Sequence, residues 1–208
     1  MIIAVVPTPP TRERLMRAAL KLFAEHGYRA TTVGAIESEA GLAPRSGALY
    51  QHFKSKQELL EAAIENELTA MGELSDALAM LPLGDLRAEL TLLARWNLAS
   101  LDRRRDLTRF IRREAHLLPS RMRTRLYERL VATPYAEITA WLQSRYRDAG
   151  VEPPDVAALA LILVESMAAY RELEHLFGRV PDEIDDQRFV GAWVEIGVTV
   201  AARHGLSA

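Results

Sequence analysis

The stretch GLAPRSGALYQHFKSK, Gly41–Lys56, gathers a proline, three cationic side chains, His52 and the aromatic residues Tyr50 and Phe53 into sixteen positions. Leu49 and Phe53, four residues apart, anchor one face of a helix and leave Arg45, Ser46, Ala48 and Gln51 outside it. Gly41 can adopt the positive φ of a sharp turn, and Pro44 suits a first helical turn because it has no N–H to leave unpaired. Upstream, Leu15, Ala18, Ala19, Leu22 and Phe23 recur at three and four residues, which predicts a helix over Thr11–His26 that stops at Gly27. His26 then sits at a helix C-terminus. Thr31 and Thr32 are N-cap candidates for a short second helix carrying Val33, Ile36 and Ala40. Downstream, Ser55 and Glu58 have the spacing of a capping box, opening a fourth helix that runs to about Met80 before Pro82 and Gly84.

Two short helices joined by a glycine-bearing turn, the second basic at its edges, form a helix-turn-helix pattern. The outer face of the third helix suits a major groove: Arg45, Ser46 and Gln51 can hydrogen-bond base edges, and Ala48 can meet a thymine methyl. Tyr50, Lys54 and Lys56 are placed as phosphate clamps at the groove's edge. His52 reads as part of the same module.

Charge supports that division. Residues 1–56 carry eight Lys and Arg against four acids, a net charge of +4, whereas 57–208 carry −6. A small basic module on an acidic body is the electrostatic footprint of a protein that faces a polyanion with one part only. With 208 residues, 49% of them apolar, the chain can bury a sizeable core. There is no cysteine, so disulfide and thiolate-metal chemistry are excluded and a cytoplasmic location is expected. The longest apolar run, Val156–Val164, has nine residues, far short of the roughly 20 that span a bilayer, so no membrane partner is expected.

The string Ala18, Leu22, Phe23, Gly27, Tyr28, Thr31, Thr32, Val33, Ile36, Ala40, Gly41, Gly47, Leu49, Tyr50, His52, Phe53, Ser55, Lys56 and Leu59 resembles the N-terminal domain of the tetracycline-repressor (TetR) family over about residues 11–60. The resemblance implies an all-α homodimeric transcriptional regulator, usually a repressor, with a C-terminal domain that binds a small molecule. It implies phosphate contacts for Thr32, Tyr50 and Lys56, and puts Thr31 and Gly47 in the same DNA-facing set. Two departures stand out. Between Gly41 and Tyr50 there are two residues more than the family pattern, read either as a longer turn or as a recognition helix lengthened at its N-terminus, with Pro44 as its first residue. Glu37 replaces a small residue after Ile36, and is read as solvated or paired with Arg45.

The remainder reads as helices at about 85–101, 105–117, 120–148 with a bend at Pro134, 155–177 and 183–203. The expected organisation is an N-terminal arm at 1–10, a helix-turn-helix domain at 11–56, and a ligand-binding and dimerisation bundle at 57–208. Because Val156–Val164 is apolar all round, a two-fold four-helix seam is expected from Leu159, Leu163 and Met167 with Phe189, Trp193, Ile196 and Val200. Such a dimer would match a palindromic operator in double-stranded DNA. Trp96, Tyr135, Met167 and Tyr170 are candidate walls of a small-molecule cavity, with Arg112 or His116 pointing inward to an acidic effector.

The arginine run between Arg103 and Arg129 reads as a surface helix laced with Asp102, Asp106, Glu114 and Glu128. Glu172 and His175 supply one Glu-x-x-His, but the second such motif that a di-iron bundle requires is absent. No catalytic constellation, cofactor motif or metal site emerges, and the chain reads as no enzyme. The two readings left beside the main one are a regulator without a ligand and, more remotely, a helical-bundle metalloenzyme.

Overall fold

A computed structural model describes residues 9–69 and 78–206, all of them helical or in connecting turns, with no strand among them. The order is α1 (Thr11–His26), α2 (Val33–Glu39), α3 (Ala48–His52), α4 (Lys56–Thr69), α5 (Leu86–Arg103), α6 (Arg105–Glu114), α7 (Ser120–Tyr127), α8 (Thr133–Asp148), α9 (Val156–Phe177) and α10 (Asp186–Arg203). The arm expected at 1–10 and the far end of the long fourth helix fall largely outside the described residues. No described helix is long and apolar enough to cross a membrane.

The described residues form two compact units, 9–69 with 106–124 and 78–105 with 125–206. This differs from a single boundary after residue 56. The first unit keeps α4, because Leu59, Leu60, Ala63 and Ile64 are buried with the apolar face of α1. It also recruits α6, whose Phe110 is fully buried 6.3 Å, ring to ring, from Phe23 of α1. Gly27, where α1 ends, meets two demands at once. Its φ is +90°, and a Cβ there would lie 2.5 Å from Glu114 Oε1.

In the second unit α5, α8, α9 and α10 close over one core that includes Leu90, Leu98, Tyr146, Ala160, Leu163, Met167, Trp193 and Val198. Gly197 lets α10 approach α5, since a Cβ would meet Leu90 Cδ1 at 2.9 Å. The buried Arg171 guanidinium ties three helices at one end, reaching Asp186 at 2.6 Å, Glu174 at 2.7 Å and Asp102 at 3.0 Å. These partners hold Arg171 firmly in its charged form, Asp186 by hydrogen bonding first.

That core corrects the expected seam. Leu163, Met167 and Trp193 are buried within their own chain, Phe189 stacks on Tyr170 with ring centres 4.1 Å apart, and Leu159 packs against the same core. The exposed large apolar residues of α9 and α10 are instead Leu161, Ile162, Leu173, Leu176, Phe177 and Ile196, and Val200 is half-buried. Helical spacing identifies apolar residues that share a face, but not whether the cover comes from the same chain.

Candidate nucleic-acid interface and cavity

The helix-turn-helix is built by polar bonds that run into its backbone. Thr32 caps α2 by accepting from Ala35 N–H at 3.2 Å, while Thr31 is buried and its hydroxyl lies 2.8 Å from the Gly27 carbonyl. Of the two threonines, only Thr32 presents its side chain to solvent. Arg14 of α1 reaches across to the carbonyls of Ala40 and Gly41, so one planar cation satisfies the open end of α2.

The two additional residues lengthen the turn. The recognition helix does not start at Pro44. Pro44 lies in a turn, Arg45 takes a left-handed φ of 59°, Gly47 takes φ +75°, and α3 begins at Ala48. A left-handed residue cannot continue a right-handed helix, and two of them unwind the stretch that Pro44 would have opened. Glu37 is neither solvated nor paired with Arg45: it is fully buried, and its Oε1 accepts the Leu49 N–H at 3.1 Å. A carboxylate from α2 thereby caps the next helix from inside, with its other oxygen buried and unpartnered.

Lys56 is also turned inward. Its ammonium donates to the carbonyls of Tyr28 at 2.7 Å and Thr31 at 2.9 Å, and sits 4.3 Å from the centre of the Tyr28 ring. Burial lowers its pKa, against the attraction of Glu114. These bonds correct the phosphate-clamp expectation for this lysine. Glu114 in turn accepts the Tyr28 N–H at 2.7 Å. A chain of contacts thus runs from α6 through Tyr28 to the start of α4.

What remains on the surface is a coherent polar set: Thr32, Arg45, Ser46, Tyr50, Gln51, His52 and Lys54 are exposed, with Gly47 and Ala48 half-buried among them. Tyr50 keeps 59% of its surface in solvent although Leu49 beside it is fully buried. Ser55 caps α4 as expected, accepting from Glu58 N–H at 3.0 Å, but the Glu58 carboxylate reaches back one residue further than a capping box, accepting from Lys54 N–H at 2.7 Å.

The second unit holds a partly open cavity of about 150 Å³. All three tryptophans of the chain, Trp96, Trp141 and Trp193, line it, as do Tyr135 and Met167. Three of the four expected wall residues are therefore present. Tyr170 is not among them, because its hydroxyl is held 3.0 Å from both Asp186 and the Ile184 carbonyl; burial first, and the Asp186 bond second, push its pKa up to about 12. Arg112 and His116 belong to the first unit and line no part of this cavity. The cations that do line it are Arg104 and Arg129, which the sequence grouped with a solvated arginine face.

Pro134 and the turn before it form part of the cavity wall. Lacking an N–H, a proline interrupts the α ladder, and Thr133 N–H donates five residues back to Glu128 O, making a π turn over Glu128–Ala132. The sequence pointed to a bend there. Of the acids assigned to the arginine run, Asp102 is drawn to Arg171, while Glu114 lies 3.8 Å from Arg113 of the run and also accepts the Tyr28 N–H. His175 lies 3.3 Å from Asp102, and among the described residues no group of three or more His, Cys, Asp or Glu is placed to hold a metal ion.

Short capped helices, a locked turn and an exposed polar third helix define a helix-turn-helix protein. Residues 15–63 match the model of the family described as bacterial regulatory proteins, tetR family. The uncharacterized HTH-type transcriptional regulator YvkB of Bacillus subtilis (strain 168) is 30% identical over 105 residues, 50% of this chain and 52% of that one. The HTH-type transcriptional repressor KstR2 of Mycolicibacterium smegmatis is 41% identical over 64 residues, 30% of each chain. The chain spans between 18% and 52% of the length of the first curated relatives it matches. In solved structures the fold recurs in the fatty acid degradation regulator FadR of Bacillus halodurans, with TM-score 0.65, 16% identity and coverage of 92% and 96% of the two chains. It recurs as well in FadR of Bacillus subtilis in complex with stearoyl-CoA, with TM-score 0.62, 16% identity and coverage of 90% and 97%.

Proposed function

We propose that this protein is a dimeric transcriptional repressor that binds a palindromic operator through α3 and is released from it by a small molecule in the tryptophan-lined cavity. The observation that carries the reading is the exposed set around α3 on a backbone fixed by Arg14, Glu37 and Lys56. In this reading Gln51, Arg45 and Ser46 read base edges, while Thr32, Tyr50 and Lys54 hold phosphates. The exposed apolar side chains Leu161, Ile162, Leu173, Leu176 and Phe177 of α9 and Ile196 of α10 support dimerisation, because large apolar groups left in water favour a covering partner. Two copies would present recognition helices about 34–36 Å apart, one turn of duplex.

Release follows from linkage: a molecule favouring the weakly binding conformation lowers DNA affinity by the factor by which DNA lowers its own, typically about 1–3 kcal/mol. The chain offers a covalent route. Arg104 and Arg129 line the cavity, and the segment 106–124 between them belongs to the first unit, where Glu114 holds Tyr28. A regulator without an effector would need no cavity, and about 150 Å³ exceeds the share of a few waters, roughly 30 Å³ each.

A gel shift with the DNA upstream of its own gene tests the reading. Tyr50→Phe combined with Lys54→Ala should weaken binding to all sequences alike, and Arg45→Ala should relax preference at particular bases. A chain that stays monomeric by sedimentation and shows no salt-dependent affinity for duplex DNA contradicts it.

A further inference from the structure

We infer that the cavity of the second unit takes a flat, uncharged ring compound with a hydrogen-bond donor and acceptor side by side on one edge, as in a lactam, recognised by Asn97 and Ser100. This deepens the effector reading given above and rests on it. Asn97 and Ser100 lie three residues apart on α5, which makes them neighbours on one helix face, and both line the cavity.

Their chemistry is the first argument. Among the described residues the Asn97 amide bonds only to the Met167 sulfur, at 3.3 Å, and a thioether is a weak acceptor. Its carbonyl and second N–H are left to a guest. Ser100 is buried in the same wall and its hydroxyl bonds to no described residue, whereas Thr91 on the same helix gives its hydroxyl to the Arg87 carbonyl at 2.7 Å. A side-chain amide offers a donor and an acceptor in one plane, the arrangement by which asparagine pairs with an adenine edge in two parallel bonds. A lactam presents the same kind of edge, and a hydroxyl that can rotate donates or accepts beside it.

The other polar groups of the wall are the second. Arg104, Arg129 and Glu137 each have a partner within the protein, and the Tyr135 hydroxyl is held by Glu165 at 2.6 Å. A charged guest would give up its hydration and compete with those partners, whereas a neutral edge meets groups that are bonded weakly or not at all.

Size and shape are the third. A cavity of about 150 Å³ matches one that holds a benzene-sized guest, and Trp96, Trp141 and Trp193 supply flat walls for a ring. Because the cavity is partly open, a second fused ring can extend through the opening. A long acyl chain would leave most of its length in water, where its carbons contribute nothing.

The test is calorimetric titration of the full-length protein with 2-quinolone, N-methyl-2-quinolone, 2-naphthoate and palmitoyl-CoA. The lactam should bind about tenfold more tightly than its N-methyl derivative, which keeps the ring and carbonyl but lacks the donor. It should also bind more tightly than the two charged probes. Asn97→Leu should bring the lactam to within about threefold of its N-methyl derivative, and Ser100→Ala should weaken the lactam by about threefold. An unchanged tryptophan melting transition shows that the variants fold, and the comparison on the parent protein stands whatever they do. Equal affinity for the lactam and its N-methyl derivative, a gap that survives Asn97→Leu, tighter binding of 2-naphthoate or palmitoyl-CoA, or no binding of 2-quinolone overturns the inference. Binding of 2-quinolone through Asn97 without a change in DNA affinity leaves this inference standing and contradicts the effector reading. Release of DNA by 2-naphthoate or palmitoyl-CoA alone does the reverse.

Discussion

The two units are specified by different physics. In the first, backbone groups at turns and helix ends are bonded by particular side chains: Arg14 on Ala40 and Gly41, Glu37 on Leu49, Glu114 on Tyr28, and Lys56 on Tyr28 and Thr31. Each bond demands one residue type in one place, because a buried N–H or carbonyl left without a partner costs about 1–3 kcal/mol. In the second unit most positions ask only for apolar volume, and the polar network around Arg171 ties one end. Volume can be filled by many residue combinations. The contrast accounts for a legible motif in one unit and for its absence in the other.

The sharpest way to break this division is Phe110→Ala. Phe110 lies about fifty residues beyond the helix-turn-helix, yet it is fully buried against Phe23. Its loss should cost about 3–5 kcal/mol and remove operator binding. The tryptophan emission transition, which reports the second unit alone, should stay in place. A tryptophan transition that collapses while operator binding survives would assign α6 to the wrong unit.

Glu37→Ala comes next in size. Removing the internal cap of α3 should destabilise the first unit by about 1–3 kcal/mol and lower operator affinity roughly tenfold, whereas Glu37→Gln, which keeps an acceptor, should retain most of it. Equal affinity for the two variants would show that the Leu49 bond does not position α3.

A smaller effect separates the two lysines flanking Ser55. Lys54→Ala should reduce the slope of log affinity against log salt by about one per protomer, the signature of a phosphate contact. Lys56→Met should lower the melting temperature and leave the slope unchanged. Matching slope changes would return Lys56 to the DNA surface.

The smallest expected effect depends on pH and lies in the second unit. Hydrogen bonds from Arg171, and less so from Tyr170, hold Asp186 below the usual carboxylate range in spite of burial. A lowered carboxylate contributes stability that is fully present above its unfolded pKa, about 3.9, and is lost as pH falls through the lower folded value. Asp186→Asn should therefore melt below the parent protein at neutral pH, with the gap closing under acid conditions. A gap that stays constant down to pH 2 would mean that the charge on Asp186 contributes nothing.

How much was legible can be traced residue by residue. Helices α1, α2 and α4 began where Thr11, Thr32 and Ser55 indicated, because caps and apolar spacing are local features. Of the two readings of the additional residues, the longer turn holds and the helix starting at Pro44 does not; the sequence could not choose, since the left-handed φ at Arg45 is imposed by surrounding structure and has no sequence signature. Lys56 and Thr31 looked like polar surface residues; the carbonyls of Tyr28 and Thr31 turn Lys56 inward, and those of Leu22 and Gly27 turn the Thr31 hydroxyl inward. Arg104 and Arg129 were hidden among ten arginines, and the signal that marks them is proximity to the three tryptophans once the helices pack.

By itself, then, the sequence determined what depends on neighbours along the chain: helical periodicity, caps, the glycine-bearing turn and the charge contrast between the two parts. Tertiary structure alone decided which apolar faces α5, α8, α9 and α10 consume among themselves, which apolar side chains remain bare, which residues come together around the cavity, and which arginines border it. The reason is that burial and pairing are relations between residues far apart in sequence. A side chain's type states what it can bond, and only the packed chain states what it meets.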